Sequence, residues 1–449
     1  MIMKDIKVIA DKILNEALLQ GAKESEVFFG NSKNTMIKIH KQEIESISQT
    51  SDSGIGFRIF IDNKVGFFST SDLNETHLSK IVTKIINATK KLEKDEYQGL
   101  PEIFAKQTNA DLKIFDENLE KISIEDKIKY IKSVEKDALN YDIRILADFV
   151  IYSETIAYQQ IINSKGINLS YKETGCAGSI LALTKQQNKG SSGDGFVVRR
   201  YFSEILDEKI GKEAAYKAIT ALEGAPIPTG KTTIVFTPEI SAEFFSYIAS
   251  ALSAEAVLKG RSIFINKLNE SIASSNINLI DDSSLIGLIG TSPYDGEGSA
   301  KQRINLVING RLENFLHNSY TARQSKKTST GNAVRSSYKS MPTIGPSNFY
   351  LKSGNMSKEE MISDIKNGIL IFSTTNVGGI NPITGNYSTA ASGVLIENGK
   401  LTKSVDQILI AGNLLTMLKN ISQIANDFKW TGNIGTSSIR IDEMIVSGE

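Results

Sequence analysis

Two carboxylates and one histidine are the side chains best suited to chemistry in the second half of this sequence. Asp295 and Glu297 lie two residues apart in the run SPYDGEG, so they could share a metal ion or a proton. The glycines and proline of that run favour instead a tight surface turn without a chemical role. His317, in FLHNSYTAR, could act as an acid or base or bind a peptide end, but a structural, hydrogen-bonded histidine is favoured because no nucleophile is indicated near it.

Two glycine- and asparagine-rich segments could cradle an extended ligand with their backbone. They are residues 329–333 (STGNA) and 377–386 (VGGINPITGN). Neither has the glycine spacing and following lysine of a phosphate-binding loop, so nucleotide binding is not predicted. Cys176 lies in an apolar, glycine-containing strand with no histidine nearby in the sequence, which favours a buried thiol over a nucleophile.

A helix is predicted over residues 239–260 (EISAEFFSYIASALSAEAVLKG), because apolar residues such as Phe244, Ile248 and Leu252 recur at helical spacing. On such a helix a zinc hydrolase places two histidines one turn apart, with a glutamate beside the first as general base. This helix contains no histidine, and phenylalanine, serine, tyrosine and alanine stand where the ligands would be. The sequence therefore predicts no metal site on it.

Composition excludes several classes of protein. Lys+Arg and Asp+Glu both number 51, and no basic block stands out, so a dedicated nucleic-acid binder is not expected. No apolar run approaches the ~18 residues of a membrane span, and the first 20 residues are amphipathic and contain acids, unlike a secretory signal. The single cysteine excludes an intramolecular disulfide and suits a reducing compartment, so we expect a cytoplasmic protein.

The pattern of elements predicts an α+β protein of two domains. The N-terminal domain, residues 1–222, is expected to hold two αβ units (about 1–100 and 101–222) with antiparallel sheets, a hairpin turn at Asp62–Asn63 and a mobile loop over 186–195. The proline-containing segment 223–231 marks the boundary. Residues 223–449 are expected to form a β-rich, barrel-like domain with packed helices, with hairpin turns at Asn309–Gly310 and Asn398–Gly399.

In their order along the chain, several motifs resemble those of the TldD/PmbA family (the modulator of DNA gyrase family), and within it the PmbA/TldE branch. They are GIGFRIFIDNKVGFFST, YQGLP, IPTGKTTIVF, AEAVLKGRS, the DDSSL…SPYDGEG run, NGRLENFLHNSYTARQSKKTSTGNA and IAGNL. Each motif alone is weak, but their shared order and spacing cover nearly the whole chain. The resemblance implies that residues 223–449 correspond to the family's metallopeptidase domain.

In this family, TldD-type chains look like zinc peptidases with an H-E-x-x-x-H helix and a downstream cysteine ligand. This sequence lacks both, since helix 239–260 has no histidine and no cysteine follows Cys176. The resemblance therefore implies a subunit without its own zinc, which leaves open whether the chain is an enzyme by itself. Its expected partner is a zinc-containing TldD-type subunit in a heterodimer, with a homodimer of the chain alone as a further possibility. The pair would act on unfolded or small peptides.

The resemblance and the loop composition together select candidate positions at a peptide chamber or subunit interface: Asp295, Glu297, Gly298, His317, Thr330, Gly331 and Asn332. No catalytic or metal-binding role is expected of them. The alternative hypothesis is a regulatory binding protein that modulates gyrase or a toxin–antitoxin system and has no peptidase role, although the charge balance does not favour contact with DNA.

Overall fold

The computed structural model describes residues 2–106, 110–186 and 189–448. Its α-helices are α1 (Ile2–Leu19), α2 (Glu75–Thr89), α3 (Ile124–Leu139), α4 (Ile210–Glu223), α5 (Pro238–Ala251), α6 (Ala254–Leu258), α7 (Ser319–Gln324), α8 (Lys358–Ser363) and α9 (Leu414–Asn420). Its strands are β1 (Glu24–His40), β2 (Glu43–Ile61), β3 (Lys64–Thr70), β4 (Ile145–Asn163), β5 (Asn168–Gln186), β6 (Lys189–Arg199), β7 (Gly230–Phe236), β8 (Leu279–Asp282), β9 (Arg303–Ile308), β10 (Arg311–Leu312), β11 (Ala333–Val334), β12 (Thr343–Ile344), β13 (Phe349–Leu351), β14 (Asn367–Ile380), β15 (Asn386–Glu397), β16 (Lys400–Asn413), β17 (Ile421–Ile424), β18 (Lys429–Thr431), β19 (Ile434–Thr436) and β20 (Ile439–Ser447).

The N-terminal half forms one antiparallel sheet in the order β3-β2-β1-β4-β5-β6. The pattern of one helix, three strands and one helix occurs twice along the chain, and the two sets of strands join through the β1–β4 pairing. Residues of β5 alternate between buried and half-buried, with Cys176, Ile180 and Ala182 in the core beneath α3 and α4. This period of two is expected of a sheet with one covered face.

The C-terminal half contains a closed five-stranded barrel. Strands β16, β15, β14, β7 and β20 pair in that order, and the β16–β20 pairing closes the ring. Helix α5 packs into the core of this half through Phe244 and Phe245, and Phe236 of β7 contacts Phe244. The second sheet of this half has the order β10-β9-β8-β13-β19-β18. The predicted α+β architecture with a barrel-like C-terminal half is confirmed.

Three predicted hairpin turns are confirmed, whereas one predicted loop and one predicted helix differ from the structure. The hairpin turns at Asp62–Asn63, Asn309–Gly310 and Asn398–Gly399 are confirmed, and both residues of each turn have positive φ. The loop predicted over 186–195 is wrong, because β6 begins at Lys189 and pairs with β5; residues 187 and 188 lie outside the described residues. The helix predicted over 239–260 is two helices, α5 and α6, separated at Leu252 and Ser253.

Within the described ranges, no helix is both long and apolar enough to cross a membrane.

Candidate functional site

Asp295 and Glu297 lie in a buried turn, so the expectation of a surface turn is wrong. Their exposed fractions are 4% and 2%. The Asp295 carboxylate accepts hydrogen bonds from the backbone N–H groups of Glu297 (2.9 Å), Ser299 (2.8 Å) and Ala333 (3.1 Å). Burial, helped by the nearby charge of Glu297, raises the pKa of Asp295 to about 7. This carboxylate holds the turn in shape with both of its oxygens.

Glu297 connects this turn to the N-terminal sheet. Its carboxylate accepts hydrogen bonds from the N–H (3.0 Å) and hydroxyl (2.7 Å) of Ser319 and from the Arg58 guanidinium (3.3 Å). Arg58 on β2 also donates two hydrogen bonds, of 3.0 and 2.8 Å, to Glu26 on β1. Arg335 donates to Glu26 from the C-terminal half. Two arginines and two glutamates therefore form one buried network, which we call the interdomain ion network.

His317, Thr330 and Asn332 form a second chain of hydrogen bonds. The backbone N–H of His317 donates to the Thr330 hydroxyl oxygen at 2.7 Å, and that hydroxyl donates to the Asn332 side-chain oxygen at 2.6 Å. The Asn332 amide in turn donates to Asp281 at 2.7 Å. Burial lowers the pKa of His317 to about 4 and raises that of Asp281 to about 6. The imidazole is therefore neutral at pH 7, and its Nδ1 lies 3.2 Å from the Thr321 hydroxyl.

Gly298 and Gly331 have the backbone conformations that these turns need. Their φ angles are +77° and +72°. A Cβ added at Gly331 would lie 2.4 Å from the Ala300 carbonyl oxygen. The structure thus brings all seven predicted site residues into the same buried loop region, where the polar side chains bond mainly to backbone groups and to one another.

A separate cleft opens between the two halves of the chain, beside the first turns of α5. Its volume is about 270 Å³, and we call it the α5 cleft. The lining residues are Asp194, Phe196, Val197, Val198, Arg199, Glu208, Glu213, Lys217, Glu239, Ile240, Glu243, Thr374, Lys429, Trp430, Thr431 and Gly432. Sequence reasoning missed this cleft. The only local signal was the spacing of Glu239 and Glu243, which lie four residues apart and so share one face of the helix.

The two glutamates of α5 differ in their partners. Glu239 pairs with Lys429 at 2.7 Å; burial alone would raise its pKa, but the lysine outweighs that and lowers it. Glu243 accepts a hydrogen bond from the Thr374 hydroxyl at 2.5 Å. Burial raises the pKa of Glu243 above its usual value. Among the described residues, no lysine, arginine or histidine forms an ion pair with Glu243.

The side chains around α5 do not fit a zinc ion. Catalytic zinc takes three protein ligands, usually histidine, cysteine or carboxylate. No group of three such residues is placed to hold a metal anywhere in the described part of the chain. His40 and His77 are exposed on β1 and α2, far along the chain from α5. Cys176 is buried, which raises its pKa to about 12 and leaves a neutral thiol.

The chain matches models of a known protein family along most of its length. Three models match the chain: PmbA/TldA metallopeptidase domain 1 over residues 25–90, the central domain over 117–222 and the C-terminal domain over 229–448. The chain belongs to the PmbA/TldD metallopeptidase family. The membership that the sequence motifs indicated is thereby confirmed.

A curated relative and two solved structures resemble the chain along nearly its whole length. A metalloprotease PmbA homolog of Buchnera aphidicola is 29% identical over 429 residues, covering 94% of this chain and 93% of the relative. A Bacteroides thetaiotaomicron structure, named as a candidate modulator of DNA gyrase, superposes with a TM-score of 0.90 at 26% identity and covers 100% of both chains. TldE from Thermococcus kodakarensis shares the fold, with a TM-score of 0.84 at 21% identity over 98% of this chain and 99% of that one.

Proposed function

We propose that this chain is the non-catalytic, PmbA/TldE-like subunit of a zinc peptidase complex that cleaves unfolded or small peptides in the cytoplasm. A TldD-type partner would supply the zinc ion and the catalytic residues. One observation carries the proposal: α5, on the metallopeptidase domain of a metallopeptidase family, has no histidine and directs Glu239 and Glu243 to a lysine and a threonine.

The ligand requirement of catalytic zinc supports a complex in which the partner, and not this chain, holds the metal ion. A zinc-bound water becomes a hydroxide nucleophile near neutral pH only when the protein holds the ion with an open coordination position. The side chains of the described residues do not provide that ligand set, so the contribution of this chain would be to bind peptide and complete the complex. The seven loop residues from Asp295 to Asn332 would then maintain the shape of a chamber wall or subunit interface, a role suited to their buried hydrogen bonds.

The test compares this chain alone with a mixture. Zinc content and cleavage of an unfolded peptide are measured for the chain, for the TldD-type chain of the same genome and for both together. We expect this chain alone to be zinc-free and inactive. When mixed with the partner, it should raise the peptide cleavage by the partner at least tenfold. As a control, replacing the glutamate of the partner's H-E-x-x-x-H motif should abolish the activity of the mixture.

Two outcomes would contradict the proposal. Zinc and turnover in this chain alone would mean a catalytic site built from other ligands. Absence of both binding to the partner and stimulation would favour the alternative function, a regulatory binding protein without a peptidase role.

A further inference from the structure

The α5 cleft joins surfaces from both halves of the chain. Strand β6 and helix α4 form one side, while α5, β14 and β18 form the other. Its volume of about 270 Å³ lies just below the ~300–1,000 Å³ typical of small-ligand pockets. It can hold one long side chain or the end of a peptide, but not a folded partner.

The charges that line this cleft do not balance. Five carboxylates face three cations. Each cation already forms an ion pair with a carboxylate. Arg199 pairs with Glu208, Lys217 pairs with Glu213 at 2.9 Å, and Lys429 pairs with Glu239 at 2.7 Å. The remaining carboxylates are Asp194, whose side chain is 64% exposed and 3.7 Å from Lys217, and Glu243.

Glu243 is the group that a ligand would satisfy. It is half-buried on α5, and among the described residues its one side-chain hydrogen-bond donor is the neutral Thr374 hydroxyl, which binds one carboxylate oxygen. A carboxylate removed from water without a positive partner costs free energy, which an arriving cation would recover. The raised pKa of Glu243 is the same penalty expressed on the proton scale.

Aromatic side chains line the same cleft as this carboxylate. The half-buried Trp430 is held by edge-to-face contacts with Phe428 and Tyr350, at centroid distances of 5.4 and 6.0 Å. Phe196, on the opposite side, exposes 49% of its surface. Aromatic faces beside a carboxylate suit a group that is cationic at its tip and apolar along its stem.

We propose that the α5 cleft binds an ammonium group of a peptide, either its amino terminus or a lysine side chain, with Glu243 as the counter-ion and Trp430 and Phe196 as walls. This assignment rests on the proposed role in peptide processing and gives that role a specific binding site. It also locates the site at the seam between the two halves, in a cleft that none of the seven loop residues lines.

Trp430 provides a direct readout because it is the single tryptophan of the chain. Three peptides are titrated into the chain alone while its fluorescence is followed: trialanine with a free amino terminus, N-acetyl-Ala-Lys-Ala-amide and N-acetyl-trialanine-amide. We expect a saturable change with one or both ammonium peptides, and at least tenfold weaker binding of the third. The first two peptides distinguish an amino terminus from a lysine side chain.

A variant pair tests the counter-ion. Glu243→Gln keeps the size of the side chain and removes its charge, so affinity for the ammonium peptide should fall at least tenfold. Glu255→Gln, on α6 outside the cleft, removes a partly exposed carboxylate that pairs with Lys259 and should leave affinity unchanged. The proposal would be overturned if N-acetyl-trialanine-amide bound as tightly as the ammonium peptides, if none of the three peptides bound, or if Glu243→Gln left the affinity unchanged.

The three-peptide comparison uses the unaltered protein, so it remains decisive even if Glu243→Gln does not fold. The measurement also needs neither zinc nor the partner. Ammonium binding can therefore succeed where stimulation of a TldD-type partner fails, and the failures of the two proposals can be told apart.

Discussion

Burial gives His317 a protonation behaviour that an exposed histidine does not have. Its pKa is lowered from the usual 6.5 to about 4, because burial disfavours the imidazolium. Between pH 6.5 and 4 the unfolded chain therefore binds a proton that the native chain excludes, so this residue's contribution to stability is present above pH 6.5 and lost as the pH falls towards 4. The shift corresponds to about 3 kcal/mol. The pH dependence that Asp295 gives to stability has the opposite sign, because its raised pKa makes the native state bind a proton below about pH 7.

Comparison with a variant isolates the histidine, because Asp295 titrates in both proteins. We expect the free energy of unfolding of His317→Gln, measured in urea between pH 6.5 and 4, to fall by about 3 kcal/mol less than that of the unaltered chain. His77→Gln, at an exposed position of α2, is the matched control for the loss of a histidine. Parallel curves for His317→Gln and the unaltered chain would show that the imidazole titrates normally.

The sequence could identify these residues only in part. Glycines around Asp295 and Glu297 correctly indicated a turn, and Gly298 indeed has positive φ. The burial of Glu297 could not be predicted, because its partner Arg58 is 239 positions away in the sequence. Glu243 could not be identified for the same reason. Its hydrogen-bond donor Thr374 lies 131 positions away, and neither residue is part of a recognisable motif.

The β1–β2 hairpin depends on one helix residue for its turn. Lys41 and Gln42 have φ angles of 53° and 61°, which are costly for residues other than glycine, asparagine or aspartate. The fully buried Glu135 of α3 accepts the N–H of Lys41 at 2.8 Å and that of Gln42 at 2.5 Å. The Gln42 side-chain amide also donates to it at 2.7 Å. These charge-assisted hydrogen bonds offset the strain of the turn.

Removing Glu135 should therefore destabilise this element. We expect Glu135→Ala to lower the free energy of unfolding by about 3 kcal/mol, because the turn loses its acceptor and two backbone donors lose their partners. Hydrogen exchange at Lys41 and Gln42 should accelerate. Glu125→Ala, an exposed change on the same helix, should cost at most about 0.5 kcal/mol. Equal stabilities of the two variants would mean that the turn forms without Glu135.

Turn chemistry explains which elements the sequence could predict. Asn-Gly and Asp-Asn turns are recognisable locally, because their residues tolerate positive φ, and those three hairpins were predicted correctly. The Lys41–Gln42 turn carries no such signal, since a residue 93 positions away stabilises it. The glycines of 186–195 were misleading for a related reason. Gly193 and Gly195 lie within β6, where α4 approaches so closely that a Cβ would meet the Ala214 and Ile210 carbonyl oxygens at 2.3 and 2.1 Å.

At the scale of the whole molecule, the interdomain ion network connects the N-terminal sheet to the C-terminal loops. Glu26, Arg58, Glu297 and Arg335 have side chains that are at most 4% exposed. Removing one member of such a buried network leaves its partners charged and uncompensated, which costs about 3–5 kcal/mol. We therefore expect Glu26→Gln to lower the free energy of unfolding by that amount. Glu75→Gln breaks the exposed pair with Lys12 and should cost less than about 1 kcal/mol.

A second substitution separates the interdomain contact from a local effect on β1. Arg335 donates to Glu26 from the other half of the chain, so Arg335→Met removes the charge that Glu26→Gln leaves unpaired. The double variant should therefore be more stable than the sum of the two single losses predicts, with a coupling of at least about 1 kcal/mol by urea unfolding. Strict additivity would show that Arg335 and Glu26 contribute to stability independently, and that their ion pair does not couple the two halves.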